Sequence, residues 1–190
     1  MKAKILLASI LGTLLLFTGC DSSIDESVVV NTKKEKEIGV GFESKTFKLQ
    51  TVSGKEIELK TTLSGIDFKD FKGKKLVLLD IFATWCPPCI KGIPDMNDLQ
   101  EEYKNDLEIV SILFEKDKTK EEIQEFIKKH GINYPITIGE ENFKLTKELG
   151  DVNKVPEYFL YSKDGTYIKK FVGETSKDVF KRYIDNALGK

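Results

Sequence analysis

Two cysteines stand three residues apart in Cys86-Pro87-Pro88-Cys89, directly after the apolar run 76–82. A strand that delivers two thiols to the start of a helix is the arrangement for thiol–disulfide exchange, because unpaired N–H groups and partial positive charge at the helix N-terminus stabilise a thiolate. Cys86, at the predicted strand-to-helix junction, should meet solvent first and be the nucleophile. Cys89, one helical turn later, should be the resolving thiol.

Three neighbouring residues also have predicted roles. Pro87 and Pro88 lack an N–H and suit the first positions of a helix, so they should stiffen the turn. Asp80 interrupts the apolar run six residues before Cys86, and burial should raise its pKa. It could then take the proton from Cys89, directly or through a water. The alternative is a structural carboxylate that is satisfied by backbone donors.

A proline precedes one of the later strands. Val155-Pro156 stands immediately before the strand predicted at 157–162. Proline is tolerated there as a plain turn residue. The alternative is a cis peptide that turns the backbone toward the cysteines, where it can bind an extended partner chain.

A zinc site is the other chemistry open to a Cys-X-X-Cys pair. Zinc would need about two more Cys or His ligands. The only spare candidate is His130, the single histidine of the chain. We therefore expect no metal and no other cofactor.

The overall composition is that of one soluble domain. Thirty Lys and Arg residues balance 31 Asp and Glu residues, for a net charge of −1, and 40% of the 190 residues are hydrophobic. This balance gives no reason to propose nucleic acid as a partner. The hydrophobic fraction suits one substantial core.

The first part of the chain has the pattern of an export signal. Lys2 and Lys4 precede an apolar stretch at 5–17 that is too short to span a bilayer comfortably. It ends in Thr18-Gly19-Cys20, which resembles a bacterial lipobox. We predict a lipoprotein signal peptide at 1–19, a lipidated tether at 20–41 that begins at Cys20, and a folded domain at 42–190. An ordinary signal peptide, with Cys20 removed or left free, is the alternative.

The cysteine count fits the lipidated reading. Three cysteines are an awkward number for an exported protein. If Cys20 carries lipid, Cys86 and Cys89 are the two that remain. No structural disulfide is then left, and the pair has a redox role.

The domain alternates between strand and helix patterns. A hairpin around Ser53-Gly54-Lys55 comes first, and Ser176 is the predicted N-cap of the last helix. This order predicts an α/β fold with a mixed central sheet and helices on both faces. The predicted strands are 46–49, 57–59, 76–82, 107–114, 135–138, 157–162 and 166–172, and the predicted helices are 90–103, 119–129, 142–149 and 176–188.

The chain resembles the thioredoxin superfamily over about 145 residues, and within it the TlpA/ResA type of membrane-tethered protein. The resemblance implies that Trp85 covers the disulfide, that Val155-Pro156 is the cis-proline loop, and that 134–149 is the helix and strand that the type inserts. Gly92 stands where ResA-type proteins carry a glutamate, and Asp80 follows cytosolic thioredoxin instead. The motifs that carry the resemblance are Asp80, Trp85-Cys86-Pro87-Pro88-Cys89, Pro94, Val155-Pro156, and Lys163-Asp164-Gly165 before Gly173.

These observations predict an enzyme of the bacterial cell envelope. We expect a lipid-anchored thiol–disulfide oxidoreductase facing the periplasm or extracytoplasmic space. It would receive electrons from a membrane donor and reduce disulfides of exported proteins, with apocytochrome c one candidate client.

Three alternatives use the same residues differently. One is a disulfide oxidase or isomerase with the same cysteines. Another is a peroxide reductase of the peroxiredoxin kind, whose loop needs a proline near the position of Leu78 or Leu79. The third is a Sco-like copper module, whose cysteines are one residue further apart.

Overall fold

The computed structural model describes residues 42–190. Within this range the chain forms eight strands and four helices. In chain order these are β1 Thr46–Thr51, β2 Glu56–Thr62, β3 Gly65–Phe68, β4 Leu76–Phe82, α1 Pro87–Glu102, β5 Leu107–Leu113, α2 Lys120–His130, β6 Ile136–Ile138, α3 Glu140–Glu148, β7 Glu157–Tyr161, β8 Tyr167–Val172 and α4 Lys177–Leu188.

The eight strands form one mixed sheet in the order β3-β2-β1-β6-β5-β4-β7-β8. Strand β4 pairs in parallel with β5 and antiparallel with β7, and β5 pairs in parallel with β6. In this register Asp80 lies opposite Ser111 on one side and Tyr158 on the other. The predicted mixed sheet is confirmed, including the hairpin β1–β2, and the segment expected at 134–149 forms strand β6 and helix α3.

All seven residues of β4 are buried. Successive side chains of a strand point to opposite faces of the sheet, so a fully buried strand requires a cover on each face. On one face, the three antiparallel strands β1, β2 and β3 and helix α3 pack on Val77, Leu79 and Ile81. On the other, α1 and α4 pack on Leu76 and Leu78, and α2 packs near Phe82. Helices therefore lie on both faces, as predicted.

The helix ends follow their local sequence. Thr119 and Glu122 form a reciprocal capping box at the start of α2. Gly131 ends the same helix in the left-handed conformation, at a φ of 62°. Ser176 is the N-cap of α4 as predicted, but its side chain makes no capping hydrogen bond. None of the helices within 42–190 is long and apolar enough to cross a membrane.

The structure differs from the sequence-based prediction at two elements. Strand β3 was not predicted, because it is only four residues long and depends on pairing with β2. Helix α1 begins at Pro87, in keeping with the placement expected for the two prolines, and not at Ile90 as the predicted range 90–103 has it. Both prolines of the cysteine motif therefore lie inside the helix, at its first two positions.

Two glycines allow the β2–β3 hairpin to contact the β7–β8 turn. The Ile66 N–H donates to the Gly165 carbonyl at 2.8 Å, and the Tyr167 N–H donates to the Ser64 carbonyl at 2.8 Å. A Cβ atom on Gly65 would lie 2.2 Å from the Gly165 carbonyl oxygen, and one on Gly165 would lie 2.1 Å from that of Ile66. We call this contact the glycine seam. It joins the β2–β3 hairpin, at one edge of the sheet, to the β7–β8 turn at the opposite edge.

The glycine seam should make Gly165 far less replaceable than a glycine with the same backbone angle elsewhere. Gly54 and Gly165 both have φ of +89°, but a Cβ on Gly54 would meet nothing within 4 Å. Gly54→Ala should cost about 1–2 kcal/mol from the left-handed conformation alone. Gly165→Ala should cost about 1–3 kcal/mol more, because the backbones must separate. Urea unfolding of both variants measures the difference, and equal losses would contradict the seam.

Candidate active site

Cys86 and Cys89 form a disulfide at the start of α1. Cys86 is the N-cap of the helix, and its Sγ accepts a hydrogen bond from the Cys89 N–H at 3.3 Å. Pro87 and Pro88 occupy the first two helical positions and have no N–H to give. The Cys89 amide is therefore the first N–H of the helix, and it is directed at the sulfur of Cys86.

Both cysteines are buried in the disulfide form. Cys86 is 2% exposed and Cys89 is 7% exposed, while the neighbouring Trp85 is 66% exposed. The expectation that Cys86 meets solvent first is wrong for this state, because residues of four other elements, β4, β5, α2 and β6, pack around the cysteines. What distinguishes the two sulfurs is the helix N-cap and its amide hydrogen bond, not exposure. The surrounding buried side chains are Val52, Phe82, Ala83, Leu113, Ile123 and Ile136.

The loop between β4 and α1 is held by a carboxylate from the end of β5. The Thr84 N–H and Thr84 hydroxyl both donate to Glu115 Oε2, at 3.0 and 2.7 Å. Lys118 lies 3.8 Å from the other carboxylate oxygen of Glu115. These contacts fix the backbone two residues before Cys86. Glu115 was not predicted, since nothing in its local sequence marks it as a partner of Thr84.

The loop before β7 lies beside the cysteines. The Val155–Pro156 peptide bond is cis, the second of the two alternatives for this proline. Val155 packs against the cluster that contains Cys86 and Cys89, and the Pro156 carbonyl accepts from the Gly173 N–H at 2.8 Å. The fold thus brings a backbone segment far along the chain against the disulfide.

Asp80 is buried beneath α1, on the same face of β4 as Phe82. It is 6% exposed, and one carboxylate oxygen accepts a hydrogen bond from Ser111 Oγ at 2.6 Å. Burial raises the pKa of Asp80 to about 6, and the hydrogen bond from Ser111 opposes this rise. The predicted direction of the pKa shift is confirmed. The charge of Asp80 therefore changes near pH 6.

Ser111 is a site residue that sequence reasoning missed, although a signal was present. It is the polar residue in the buried part of β5, at the fifth residue of that strand, as Asp80 is at the fifth residue of β4. Parallel pairing in register places the two side by side. Two polar interruptions at equal depth in neighbouring parallel strands would have predicted their contact.

Among the predicted site residues, the cysteines, the prolines and Val155-Pro156 come together at one end of the sheet, with Trp85 exposed beside them. Asp80 lies below them on the same face. Cys20 lies outside the described residues. Across 42–190, no group of three or more His, Cys, Asp or Glu side chains is placed to hold a metal ion.

A redox-active cysteine pair capping a helix after the central strand of this fold, with a cis-proline beside it, defines the class: the protein is a thioredoxin-like thiol–disulfide oxidoreductase. More particularly, the chain belongs to the Redoxin family, whose model matches residues 40–188. The resemblance to the TlpA/ResA type is confirmed by its relatives.

One such relative is the thiol-disulfide oxidoreductase ResA of Bacillus thuringiensis subsp. konkukian. It is 34% identical over 152 residues, which cover 80% of each chain. A thiol:disulfide interchange protein from Chlorobium tepidum has a solved structure with a TM-score of 0.59 at 26% identity, covering 76% of this chain and 94% of that one. An exposed lipoprotein thioredoxin from Streptococcus pneumoniae has a TM-score of 0.57 at 25% identity, covering 75% and 99%.

The raised pKa of Asp80 predicts a pH-dependent loss of stability. The unfolded chain releases this proton near its ordinary value of 3.8, whereas the folded protein holds it until about pH 6. Stability should therefore fall as pH rises through this window, by about 3 kcal/mol in total. Asp80→Asn removes the effect, so its free energy of unfolding relative to the native protein should rise by that amount between pH 3.5 and pH 7.5. Denaturant unfolding at both pH values measures it. A constant difference between the two proteins would refute the assignment.

Proposed function

We propose that this oxidoreductase is a reductant of the bacterial cell envelope, anchored by lipid on Cys20, that reduces disulfides of exported proteins. It would be recharged by a membrane electron donor, and apocytochrome c is one candidate client. The observation that carries the direction is the single amide N–H offered to Cys86 Sγ. An oxidant such as DsbA owes its strength to a stabilised reduced form. A helix start with prolines at its first two positions gives a thiolate less stabilisation.

The reaction follows from the positions of the two sulfurs. The Cys86 thiolate attacks one sulfur of the client disulfide and forms a mixed disulfide, and the other client sulfur leaves as a thiolate. The Cys89 thiolate then attacks Cys86 Sγ. The client leaves with both its sulfurs reduced, and the Cys86–Cys89 disulfide seen here is the product.

Asp80 supplies the base for the second step. Cys89 must lose its proton before it attacks, and it is buried, which disfavours its charged form. The Asp80 carboxylate, with its pKa near 6, can accept that proton at neutral pH, directly or through a water. Protonation also removes a buried charge from beneath the new thiolate.

The client chain would lie along the cis-proline loop. Val155 packs on the cysteine cluster, and its backbone precedes the bend at Pro156. An extended segment could pair with this backbone while its disulfide faces Cys86. The exposed indole of Trp85 offers an apolar surface on the other side of the cysteines.

The direction of electron flow is tested by the reduction potential of the Cys86–Cys89 pair. A soluble fragment starting near Ser22, equilibrated in glutathione buffers until the ratio is constant, should give a value below about −220 mV, toward thioredoxin at about −270 mV. A value near that of DsbA, about −120 mV, would make the protein an oxidant.

The roles of the two cysteines are tested by trapping. In Cys89→Ser, Cys86 can still attack a client disulfide, but no second thiol is present to resolve the product. A stable mixed disulfide with insulin, whose disulfides are intact, should therefore accumulate. Cys86→Ser is the matched control and should form none. Non-reducing gels with mass spectrometry identify the linked residue. Accumulation with Cys86→Ser instead would reverse the assignment.

The lipid anchor is tested at Cys20. Its support is the export signal at 1–19 with its lipobox-like end, and a structural relative described as an exposed lipoprotein. The native chain expressed in bacteria should incorporate labelled fatty acid and sediment with membranes, and Cys20→Ala should lose both properties. Ser23→Ala is the control and should behave as native. Equal labelling of the Cys20→Ala variant would exclude this anchor.

A further inference from the structure

We propose that Ser111 is a positioning residue of the reaction: its hydroxyl keeps the Asp80 carboxylate ready to take the Cys89 proton at neutral pH. This inference rests on the proposed role of Asp80 and goes beyond it, since it assigns the control of that base to a second residue. Ser111 touches neither the client nor the cysteines in this role. It acts through Asp80 alone.

The geometry leaves the Ser111 hydroxyl a clear task. Ser111 is 1% exposed, and its Oγ donates to Asp80 Oδ2 at 2.6 Å, a short distance typical of a donor facing a charged oxygen. The backbone around Ser111 is fixed on both sides, by β4 through its register with Asp80 and by the Pro135 carbonyl, which accepts the Ser111 N–H at 2.9 Å. The hydroxyl is therefore held against the carboxylate by two strands.

The other groups that face Asp80 do not supply a charge. From β7, Tyr158 lies opposite Asp80 in the sheet, and Tyr134, just before β6, lies near both Asp80 and Ser111. Burial, followed by the Asp80 charge, raises the pKa of both tyrosines, so both are neutral. Cys89 of helix α1 packs in the cluster that contains Phe82, on the same face of β4 as Asp80. Burial raises the pKa of Asp80, and the hydrogen bond from Ser111 lowers it.

This arrangement gives Ser111 a definite chemical effect. A hydrogen bond to a carboxylate favours the charged form, so the hydroxyl opposes the effect of burial and keeps a larger fraction of Asp80 ionised. When Asp80 takes the proton from Cys89, the new carboxylic acid can donate to Ser111 Oγ, because a hydroxyl both donates and accepts. One proton moves from sulfur to carboxylate, and neither state leaves Ser111 without a partner.

The test is the pH dependence of the resolving step. The reduced protein is mixed with excess dithiobis(nitrobenzoate), which releases one coloured thiolate when Cys86 attacks and a second when Cys89 resolves the mixed disulfide. The rate of the second release should fall on the acid side as Asp80 becomes protonated. In Ser111→Ala this fall should move to higher pH. We expect resolution to be about five- to tenfold slower at pH 5.5 and little changed at pH 8.

Two further variants distinguish a positioning role of Ser111 from a purely structural role. Ser111→Thr keeps the hydroxyl and should restore the native profile. Asp80→Asn should slow the resolving step and abolish the fall of its rate at acid pH. Adding Ser111→Ala to this variant should cause no further change in the pH dependence. Carboxyl carbon chemical shifts of Asp80, followed by NMR titration of the oxidised protein, should show a higher pKa in Ser111→Ala.

Each outcome decides a different claim. If Asp80→Asn leaves the rate and profile unchanged, Asp80 is not the base, and both the proposed step and this inference fall. If Asp80→Asn removes the fall of the rate at acid pH but Ser111→Ala overlays the native profile, only this inference is overturned. A uniform slowing of Ser111→Ala at every pH would also overturn it, since it would indicate a structural defect alone.

Discussion

Burial of β4 along its whole length is the constraint on which the rest of the structure depends. Seven consecutive buried residues need a partner strand on each edge and a cover on each face. The edges are taken by β5 and β7. One face is covered by α1, α2 and α4, and the other by α3 and the strands β1, β2 and β3. The glycine seam connects the β2–β3 end of these strands to the β7–β8 turn. A strand enclosed in this way gives its last residues a fixed position, and α1 starts from there with Cys86 as its cap.

The same enclosure creates the chemistry of Asp80. A carboxylate in the middle of a covered strand loses its hydration, which favours the neutral acid, while Ser111 on the next strand restores part of what water supplied. Above it, Gly92 leaves room on α1: a Cβ at this position would lie 3.7 Å from the Tyr158 hydroxyl. ResA-type proteins, by resemblance, carry a glutamate here. In this chain Asp80 has hydroxyl neighbours on adjoining strands, Ser111 and Tyr158, and the proposed proton transfer would use the Asp80 carboxylate alone.

Much of the fold and of the candidate site could be predicted from the sequence, because the patterns that indicate them lie within a few adjacent residues. The apolar run of β4, the cysteine spacing and the hairpin turn each follow from a few adjacent residues. What could not be predicted depends on pairing across the chain. Strand β3 exists because β2 accepts it, and Cys86 is buried because Leu113 and Ile123 reach it from other elements. The position of Thr84 is set by Glu115, thirty-one residues later. Ser111 lies between these cases. Its position as a polar residue in a buried strand was visible in the sequence, but its contact with Asp80 depends on the register of two strands.

The burial of the disulfide has a consequence for timing. An attacking sulfur must approach along the S–S axis, and access is one of the factors that sets exchange rates. With both cysteines buried, dissolved thiols reach the bond only when the surrounding side chains give way. A docked protein can displace them as it binds. Burial should therefore make the pair exchange more slowly with dissolved thiols than with a docked protein.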